Sequence, residues 1–187
     1  MKIVLIRHGK PDIPKPGKIR AREVHQWIKS YNAAGLKLDH KPSKEAIEIA
    51  SNCKVVVCSD LPRSMESARA LGVRGIDFTD SMFREARLPY SCFPSPKLSP
   101  RIWEVLSRVF WFFGYSSNGE SFREAKRRAS NGANRLKEIA ENTGSVILVG
   151  HGFVNRFIAK ELLLNGWQGP VSPGKKYWEF GVYKYTT

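Results

Sequence analysis

Three short apolar segments rich in β-branched residues recur along this chain, and each is followed by a stretch with helical periodicity. They are residues 2–6, 54–58 and 145–149. Apolar runs of this length are typical of strands buried on both faces, as in parallel sheets whose faces are covered by helices. The alternation therefore predicts an α/β fold, a three-layer sandwich with a mostly parallel central sheet flanked by helices.

Apolar residues at helical spacing predict the helices that accompany these strands. Two weaker strands are predicted at 75–78 and 179–185, and the second has the alternation typical of an edge strand. The predicted helices are 19–34, 43–50, 62–71, 101–113, 121–142 and 153–164.

The chain length predicts one domain. Its 187 residues are enough for one compact domain with a sizeable core. They are too few for two domains that each have a core of that kind. Four prolines between residues 84 and 100 predict a long surface loop there. We therefore expect a single domain over 1–187, with a variable insertion of loop and helix at about 86–120.

Polar residues stand immediately after each of the three strongest strands. Residues 7–9 (R-H-G) follow the first strand, residues 59–63 (S-D-L-P-R) the second, and residues 151–152 (H-G) the third. Parallel strands bring their carboxyl ends to one edge of the sheet, where ligands bind in open α/β folds. These clusters are far apart in sequence, but we expect them to form one site.

The expected site would combine two arginines with two histidines: Arg7, Arg63, His8 and His151. Guanidinium groups present forked donors that match phosphate oxygens, and an unprotonated imidazole can attack phosphorus. Gly9 would let the backbone approach the ligand closely. Since no Asp or Glu cluster offers a place for Mg²⁺, the pattern predicts phosphoryl chemistry with no metal and no cofactor.

The same residues resemble the motifs of a known family. The sequence L-I-R-H-G at 5–9, S-D-L-P-R at 59–63 and G-H-G at 150–152 resemble three motifs of the histidine phosphatase superfamily, also called phosphoglycerate mutase-like. The R-E pair at 84–85 resembles a fourth motif, and the four occur in the family's order. N-G-E-S at 118–121 also resembles the G-E-S that precedes a family helix, without implying a catalytic Glu120.

The resemblance implies a role for each of these residues. His8 would be the nucleophile that becomes phosphorylated, and Glu85 would act first as general acid and then as general base. Arg7, Arg63 and His151, which are also predicted to be catalytic, would bind the phosphoryl group with the help of two glycines. The predicted phosphate-binding set is Arg7, Arg63, His151, Gly9 and Gly152.

The proton donor has alternatives in the sequence. Asp60, Glu66 and Glu104 are rival carboxylates, since a general acid needs only a carboxyl group that faces the pocket.

The implied activity is that of a phosphoric monoester hydrolase of the histidine acid phosphatase type, with water as the final acceptor. A mutase that moves phosphate between hydroxyls of one sugar acid is an alternative in the same fold. Many members of the family read R-H-G-E-T, where this chain has R-H-G-K-P at 7–11, and residues 86–89 lack the aromatic, Gly-containing run of the mutases. These departures favour the phosphatase.

The net charge of the chain keeps a third class of function open. There are 31 Lys and Arg against 17 Asp and Glu, a formal charge of +14, which attracts anions. A non-catalytic module for phosphorylated partners or nucleic acid would fit, but it would need neither a nucleophile nor a proton donor. We therefore expect a small phosphorylated substrate or a phosphoprotein and do not expect nucleic acid. Lys15, Lys18, Arg20 and Arg22 suggest a substrate with additional negative charge.

The remaining features concern location and assembly. The three cysteines lack metal-ligand spacing, and neither a signal peptide nor a membrane span is predicted, which favours a cytoplasmic protein. The aromatic segment 103–113 is too apolar for one helical face. It predicts core packing plus a contact surface, with a homodimer as one use of it. A wall of the substrate pocket and a lid over the site are the alternatives.

Overall fold

A sheet forms the centre of the structure, a computed structural model that describes residues 1–14 and 17–186. Within those residues the sheet has five strands in the order β3-β2-β4-β1-β5. β1, β2, β3 and β4 run parallel to one another, and β5 runs antiparallel to β1. The strands are β1 (Lys2–Arg7), β2 (Val55–Cys58), β3 (Phe78–Thr79), β4 (Ser145–Gly150) and β5 (Phe180–Lys184).

Alternating side chains of β1 enter two different parts of the core. Ile3 and Leu5 pack in the cluster that includes residues of α5 (Phe122–Thr143) and α6 (Gly152–Leu164). Val4 and Ile6 pack in the cluster on the opposite face. Because side chains alternate across a strand, a run buried on both faces must be apolar throughout. The predicted α/β sandwich with a mostly parallel sheet is confirmed.

Four further helices complete the described part of the chain. Ser43 caps α2 by accepting a hydrogen bond from the Ala46 amide at 3.1 Å, as predicted from its position. Pro62 occupies the first turn of α3, where its missing N–H costs nothing. The bounds are α1 (Val24–Ala33), α2 (Lys44–Ser51), α3 (Pro62–Ala70) and α4 (Pro100–Phe112).

The predicted helix over 19–34 is wrong in its first part. Ile19 instead pairs with Leu98, with two backbone hydrogen bonds of 2.8 and 2.9 Å. A short 3₁₀ turn at Ala21–Glu23 leads into α1, which begins only at Val24. Helical spacing cannot reveal a backbone pairing with a residue about eighty positions away, so the sequence pattern overextended the helix.

The region 86–120 contains a loop followed by α4. The loop predicted over 84–100 has no helix before Pro100, in agreement with its prolines. Trp103 and Trp111 of α4 are buried, whereas Phe112 and Phe113 are exposed to 55% and 88%. The helix therefore packs through one stripe and leaves another in solvent. Use of that stripe in a homodimer stays a prediction, as does the division of the chain into one domain with an insertion.

The described helices include none with both the length and the apolar character needed to cross a bilayer.

Candidate active site

The carboxyl ends of β1, β2 and β4 meet at one edge of the sheet, and this brings the three polar clusters together. Arg7 pairs with Gly150 at the ends of β1 and β4. The His8 amide donates to the Gly150 carbonyl at 3.0 Å. Ser59 continues from β2, and its amide donates to the carbonyl of Val149 at 3.4 Å. The convergence predicted from the sequence is therefore present.

His8 lies at the bottom of this site and is only 2% exposed. Its Nδ1 is 2.6 Å from the Gly9 carbonyl oxygen. A carbonyl can only accept, so Nδ1 carries the proton and the lone pair is on Nε2. Burial, and then the charge of Arg63, lowers the pKa of His8 to about 3. The imidazole is therefore neutral at physiological pH, with Nε2 available as a nucleophile.

Arg63, at the start of α3, directs its guanidinium to the same nitrogen. Its Nε lies 3.3 Å from Nε2 of His8, and the residue is 1% exposed. Nη1 donates to the Tyr31 carbonyl at 3.1 Å, and the guanidinium carbon lies 4.7 Å from the centre of the Tyr31 ring. α1 thus fixes the orientation of Arg63. Burial lowers the pKa of Arg63, but an arginine stays protonated in proteins.

His151 lies immediately before α6 and is fully buried. Its ring centre is 4.8 Å from that of His8. Nε2 is 2.6 Å from Oγ of Ser59, and Nδ1 is 3.5 Å from Nη2 of Arg63. Because a guanidinium only donates, Nδ1 accepts and Nε2–H donates to Ser59. Burial lowers the pKa of His151 well below its usual value, and the positive charges of Arg63 and Arg7 act in the same direction.

Arg7 supplies a second guanidinium from the end of β1. It donates to the Lys175 carbonyl, and its guanidinium carbon lies 4.6 Å from the centre of the Tyr177 ring. Its Nε is buried and has no hydrogen-bond partner among the described residues. A buried donor without a partner is costly unless a ligand satisfies it. Arg7 is therefore prepared to bind an anion.

Glu85 binds the amino-terminal end of α6. Its carboxylate accepts from the amides of Phe153 at 3.1 Å and Val154 at 3.2 Å, where the helix dipole favours negative charge. The site lies next to it: a Cβ placed on Gly152 would be 3.6 Å from both Cζ of Arg7 and Oε2 of Glu85. The predicted acid and one of the two predicted phosphate-binding arginines therefore both lie close to Gly152.

The rival carboxylates have other partners. Asp60 forms a forked pair with Arg84 at 2.5 and 2.7 Å. Glu66 accepts from the Leu36 amide at 2.6 Å, and Glu104 is bound by Arg108. Glu85 also has local hydrogen-bond partners, so what distinguishes it from these carboxylates is its position close to Arg7 across Gly152, and its role as the acid stays a prediction.

Glu120 and Arg128 hold the segment that carries Glu85. The two side chains form two hydrogen bonds of 2.8 Å. Arg128 also donates to the Arg84 carbonyl at 2.9 Å, and the Glu120 amide donates to the Arg87 carbonyl at 2.8 Å. Glu120 therefore fastens the residues on both sides of Glu85, a structural task in keeping with the non-catalytic interpretation of its motif.

Gly9 is tightly enclosed by protein. A Cβ at this position would lie 2.3 Å from Cζ2 of Trp178 and 2.5 Å from Cδ1 of Leu36. Its amide donates to Oγ of Ser67 at 2.9 Å. The close approach that Gly9 permits in this structure is to the indole ring, and a contact with phosphate stays a prediction.

Several residues at the site were not predicted from the sequence. Tyr31 and Asn32 of α1 contact Arg63. Ser59 belongs to the predicted motif 59–63, but its hydrogen bond with His151 was not predicted. Tyr177 lies under Arg7, with its ring centre 5.7 Å from that of His8. Such contacts leave no local pattern in sequence. An aromatic pair at 177–178 directly before the last strand was the available signal.

Four cationic residues were predicted to interact with additional negative charge on the substrate. Three of them, Lys18, Arg20 and Arg22, are exposed. Lys15 lies outside the described residues. Their role in substrate choice stays a prediction.

The site offers guanidinium and imidazole donors and one carboxylate. Within 1–14 and 17–186, no three His, Cys, Asp or Glu side chains are grouped so that they could hold a metal ion.

The chain belongs to the histidine phosphatase superfamily (branch 1), whose family model matches residues 44–172. That match includes the motifs at 59–63, 84–85 and 150–152, whereas the R-H-G at 7–9 lies before it. A comparison with curated protein sequences gave no significant match.

Solved structures share this fold. The product of an open reading frame of Mycobacterium tuberculosis is 17% identical, with a TM-score of 0.61 over 99% of this chain and 91% of that one. A mycobacterial glucosyl-3-phosphoglycerate phosphatase is 19% identical, with a TM-score of 0.57 over 87% and 79% of the two chains. A putative alpha-ribazole-5'-P phosphatase from Escherichia coli is also 19% identical, with a TM-score of 0.57 over 86% and 78%. At these identities the likeness establishes the fold.

Proposed function

We propose that this chain is a metal-independent phosphomonoester phosphatase that acts through a covalent phosphohistidine on His8. One observation carries the proposal. The unprotonated Nε2 of His8 is buried, with Nε of Arg63 at 3.3 Å, and the charge of Arg7 helps to lower the pKa of the imidazole. A neutral nucleophile surrounded by fixed positive charge favours a reaction centre that carries negative charge on oxygen, as a phosphoryl group does.

In the first step, Nε2 of His8 attacks phosphorus and the bond from phosphorus to the ester oxygen breaks. Glu85, in its protonated form, gives its proton to that oxygen, so an alcohol leaves. Arg7 and Arg63 hold the non-bridging oxygens. A phosphoryl dianion would also raise the pKa of His151, because opposite charge favours the protonated imidazole. His151 would then donate through Nδ1.

In the second step, the Glu85 carboxylate takes a proton from water as the water oxygen attacks phosphorus. The bond from phosphorus to Nε2 breaks and inorganic phosphate leaves. His8 returns to its neutral form, because its proton stays on Nδ1 throughout, hydrogen-bonded to the Gly9 carbonyl. The same carboxyl group thus serves as acid and then as base, as its position at the edge of the site allows.

Hydrolysis of p-nitrophenyl phosphate between pH 4 and pH 8, with EDTA present, tests this proposal. Turnover should persist in EDTA and should fall by at least about a thousandfold in His8→Ala, since a covalent route needs its nucleophile. Rapid quenching with labelled substrate should trap an acid-labile phosphoprotein from the wild type and none from the variant. Retained turnover in His8→Ala would refute the mechanism.

A further inference from the structure

An apolar cavity of about 300 Å³ lies between α1, α4 and the loop before α4. Aromatic side chains form much of its wall, and none of the described residues that line it is charged. This is notable in a chain of which 26% of the residues are charged. The main wall residues are Val24, Tyr90, Phe93, Trp103, Leu106 and Phe110.

The polar group of the largest wall residue is already satisfied. Nε1 of Trp103 donates to the Ile19 carbonyl at 2.8 Å. The remaining polar side-chain atoms of the described wall residues are hydroxyls of serine and tyrosine. An apolar ligand binds favourably to a wall of this kind, because binding removes apolar surface from water. A charged ligand group would be buried there without an opposite charge to pair with. The wall therefore selects an alkyl or aryl group.

α1 connects this cavity to the candidate active site. Val24 lines the cavity at the beginning of the helix. Seven residues later, the Tyr31 carbonyl accepts from Nη1 of Arg63 at 3.1 Å. Seven residues of α-helix span about 10 Å. The cavity thus lies about two helical turns from the guanidinium proposed to hold phosphate.

α4 makes the same connection independently. Trp103 and Phe110 line the cavity from this helix. Between them in sequence, Arg108 places its guanidinium carbon 4.5 Å from the centre of the Phe153 ring. The amide of Phe153 holds the carboxylate of Glu85 at 3.1 Å. Both helices that wall the cavity therefore also border the site of the proposed chemistry.

We propose that this cavity receives the non-reacting end of the substrate, which makes the substrate a phosphomonoester with an alkyl or aryl group about 10 Å from phosphorus. The proposal rests on the phosphatase function proposed above. The arginines bind the phosphoryl group of any monoester, and the cavity selects among the alcohols to which it is attached.

A series of primary alkyl phosphates from ethyl to decyl tests the substrate class. kcat/KM should rise by up to about fourfold for each methylene that enters the cavity. Phe110→Asp places a carboxylate in the wall, at a residue 53% exposed and so free of a core penalty. It should remove most of the gain for decyl phosphate and leave ethyl phosphate turnover unchanged. Phe113→Asp, on the adjoining turn and 88% exposed, is the matched control and should keep the gain.

Three results would overturn the proposal: no dependence on chain length, equal loss for ethyl and decyl phosphate in Phe110→Asp, or loss of the gain in Phe113→Asp. A binding experiment tests the cavity independently of catalysis. Calorimetric titration of ethyl and decyl phosphate into His8→Ala should show tighter binding of decyl phosphate, and adding Phe110→Asp should abolish the difference. If the wild-type chain bound decyl phosphate more tightly but hydrolysed no phosphomonoester, only the proposed phosphatase function would be refuted. Equal Kd values for both phosphates would refute the cavity proposal.

Discussion

Nε of Arg63 donates a hydrogen bond to Nε2 of His8 at 3.3 Å, so a buried cation is directed at the lone pair of a buried neutral imidazole. The contact fixes the ring and suppresses its protonation. When a phosphoryl group enters, the same guanidinium can bind an oxygen as the lone pair turns to phosphorus. The site is thus arranged to receive an anion, and the predictions below test the groups that make up this arrangement.

The protonation state of His8 can be observed directly. Burial lowers the pKa of His8 to about 3, and the Gly9 carbonyl holds the proton on Nδ1. We expect ¹⁵N chemical shifts of the histidine ring to show the Nδ1–H tautomer for His8, without titration between pH 5 and pH 8. Free histidine under the same conditions is the control. A midpoint near 6.5 would contradict the structure of the site.

Stability should fall as the pH falls below the ordinary histidine range. The pKa of His8 is about 3 in the folded protein, against 6.5 for an unperturbed histidine. Between those values the unfolded chain binds the additional proton. The free energy of unfolding therefore drops by up to about 1.4 kcal/mol per pH unit for this residue. Urea unfolding measured from pH 7 to pH 4 should show that the free energy of unfolding changes less with pH in His8→Gln than in the wild type. Equal pH dependence in the two proteins would count against a buried neutral His8.

Glu85→Gln should separate proton transfer from structure. Glutamine keeps an acceptor for the amides of Phe153 and Val154 but supplies no acidic proton and no base. We expect kcat to fall by about 10²–10⁴ while the melting temperature changes little. The rate of the first step should fall more for an alkyl phosphate than for p-nitrophenyl phosphate. An alkoxide is more basic than p-nitrophenolate and leaves poorly unless it is protonated. Glu104→Gln is the control and should stay within about threefold of wild type; a similar loss there would reopen the choice of acid.

Arg63→Lys should weaken phosphate binding although the charge is kept. Lysine cannot contact His8, Tyr31 and a ligand at once, because it lacks the planar fork of arginine. We expect kcat/KM to fall by about a hundredfold and the inhibition constant of inorganic phosphate to rise. Arg69→Lys, an exposed change on the same helix, provides the comparison. Wild-type kinetics in Arg63→Lys would remove Arg63 from the phosphate site.

Gly9→Ala should destabilise the fold. The added Cβ would meet the Trp178 ring at 2.3 Å, and either the indole or the loop after β1 must move. We expect a loss of about 1–3 kcal/mol in the free energy of unfolding, with reduced turnover because His8 is the neighbouring residue. Gly75→Ala, where nothing lies within 4 Å of the new carbon, should be nearly neutral in the same denaturation assay. Unchanged stability in Gly9→Ala would show that the indole yields readily.

The sequence revealed much of the fold because the relevant signals are local. The apolar runs that became β1, β2 and β4 must be buried on both faces, and Ser43 and Pro62 mark helix starts by chemistry confined to one turn. The pairing of Ile19 with Leu98 was missed, and helix α1 was overextended as a result. Backbone pairing depends on where the rest of the chain has packed, and helical spacing carries no information about it.

For the site, the sequence by itself determined which chemical groups meet: parallel strands must end at one edge, so Arg7, His8, Arg63 and His151 converge. The tertiary structure decided how those groups are held. It buried His8 deeply enough to keep it neutral, placed Glu85 against the first amides of α6, and brought Tyr177 from the far end of the chain against Arg7. Burial, protonation and partner choice depend on the whole packed environment of a side chain, which no local pattern of residues encodes.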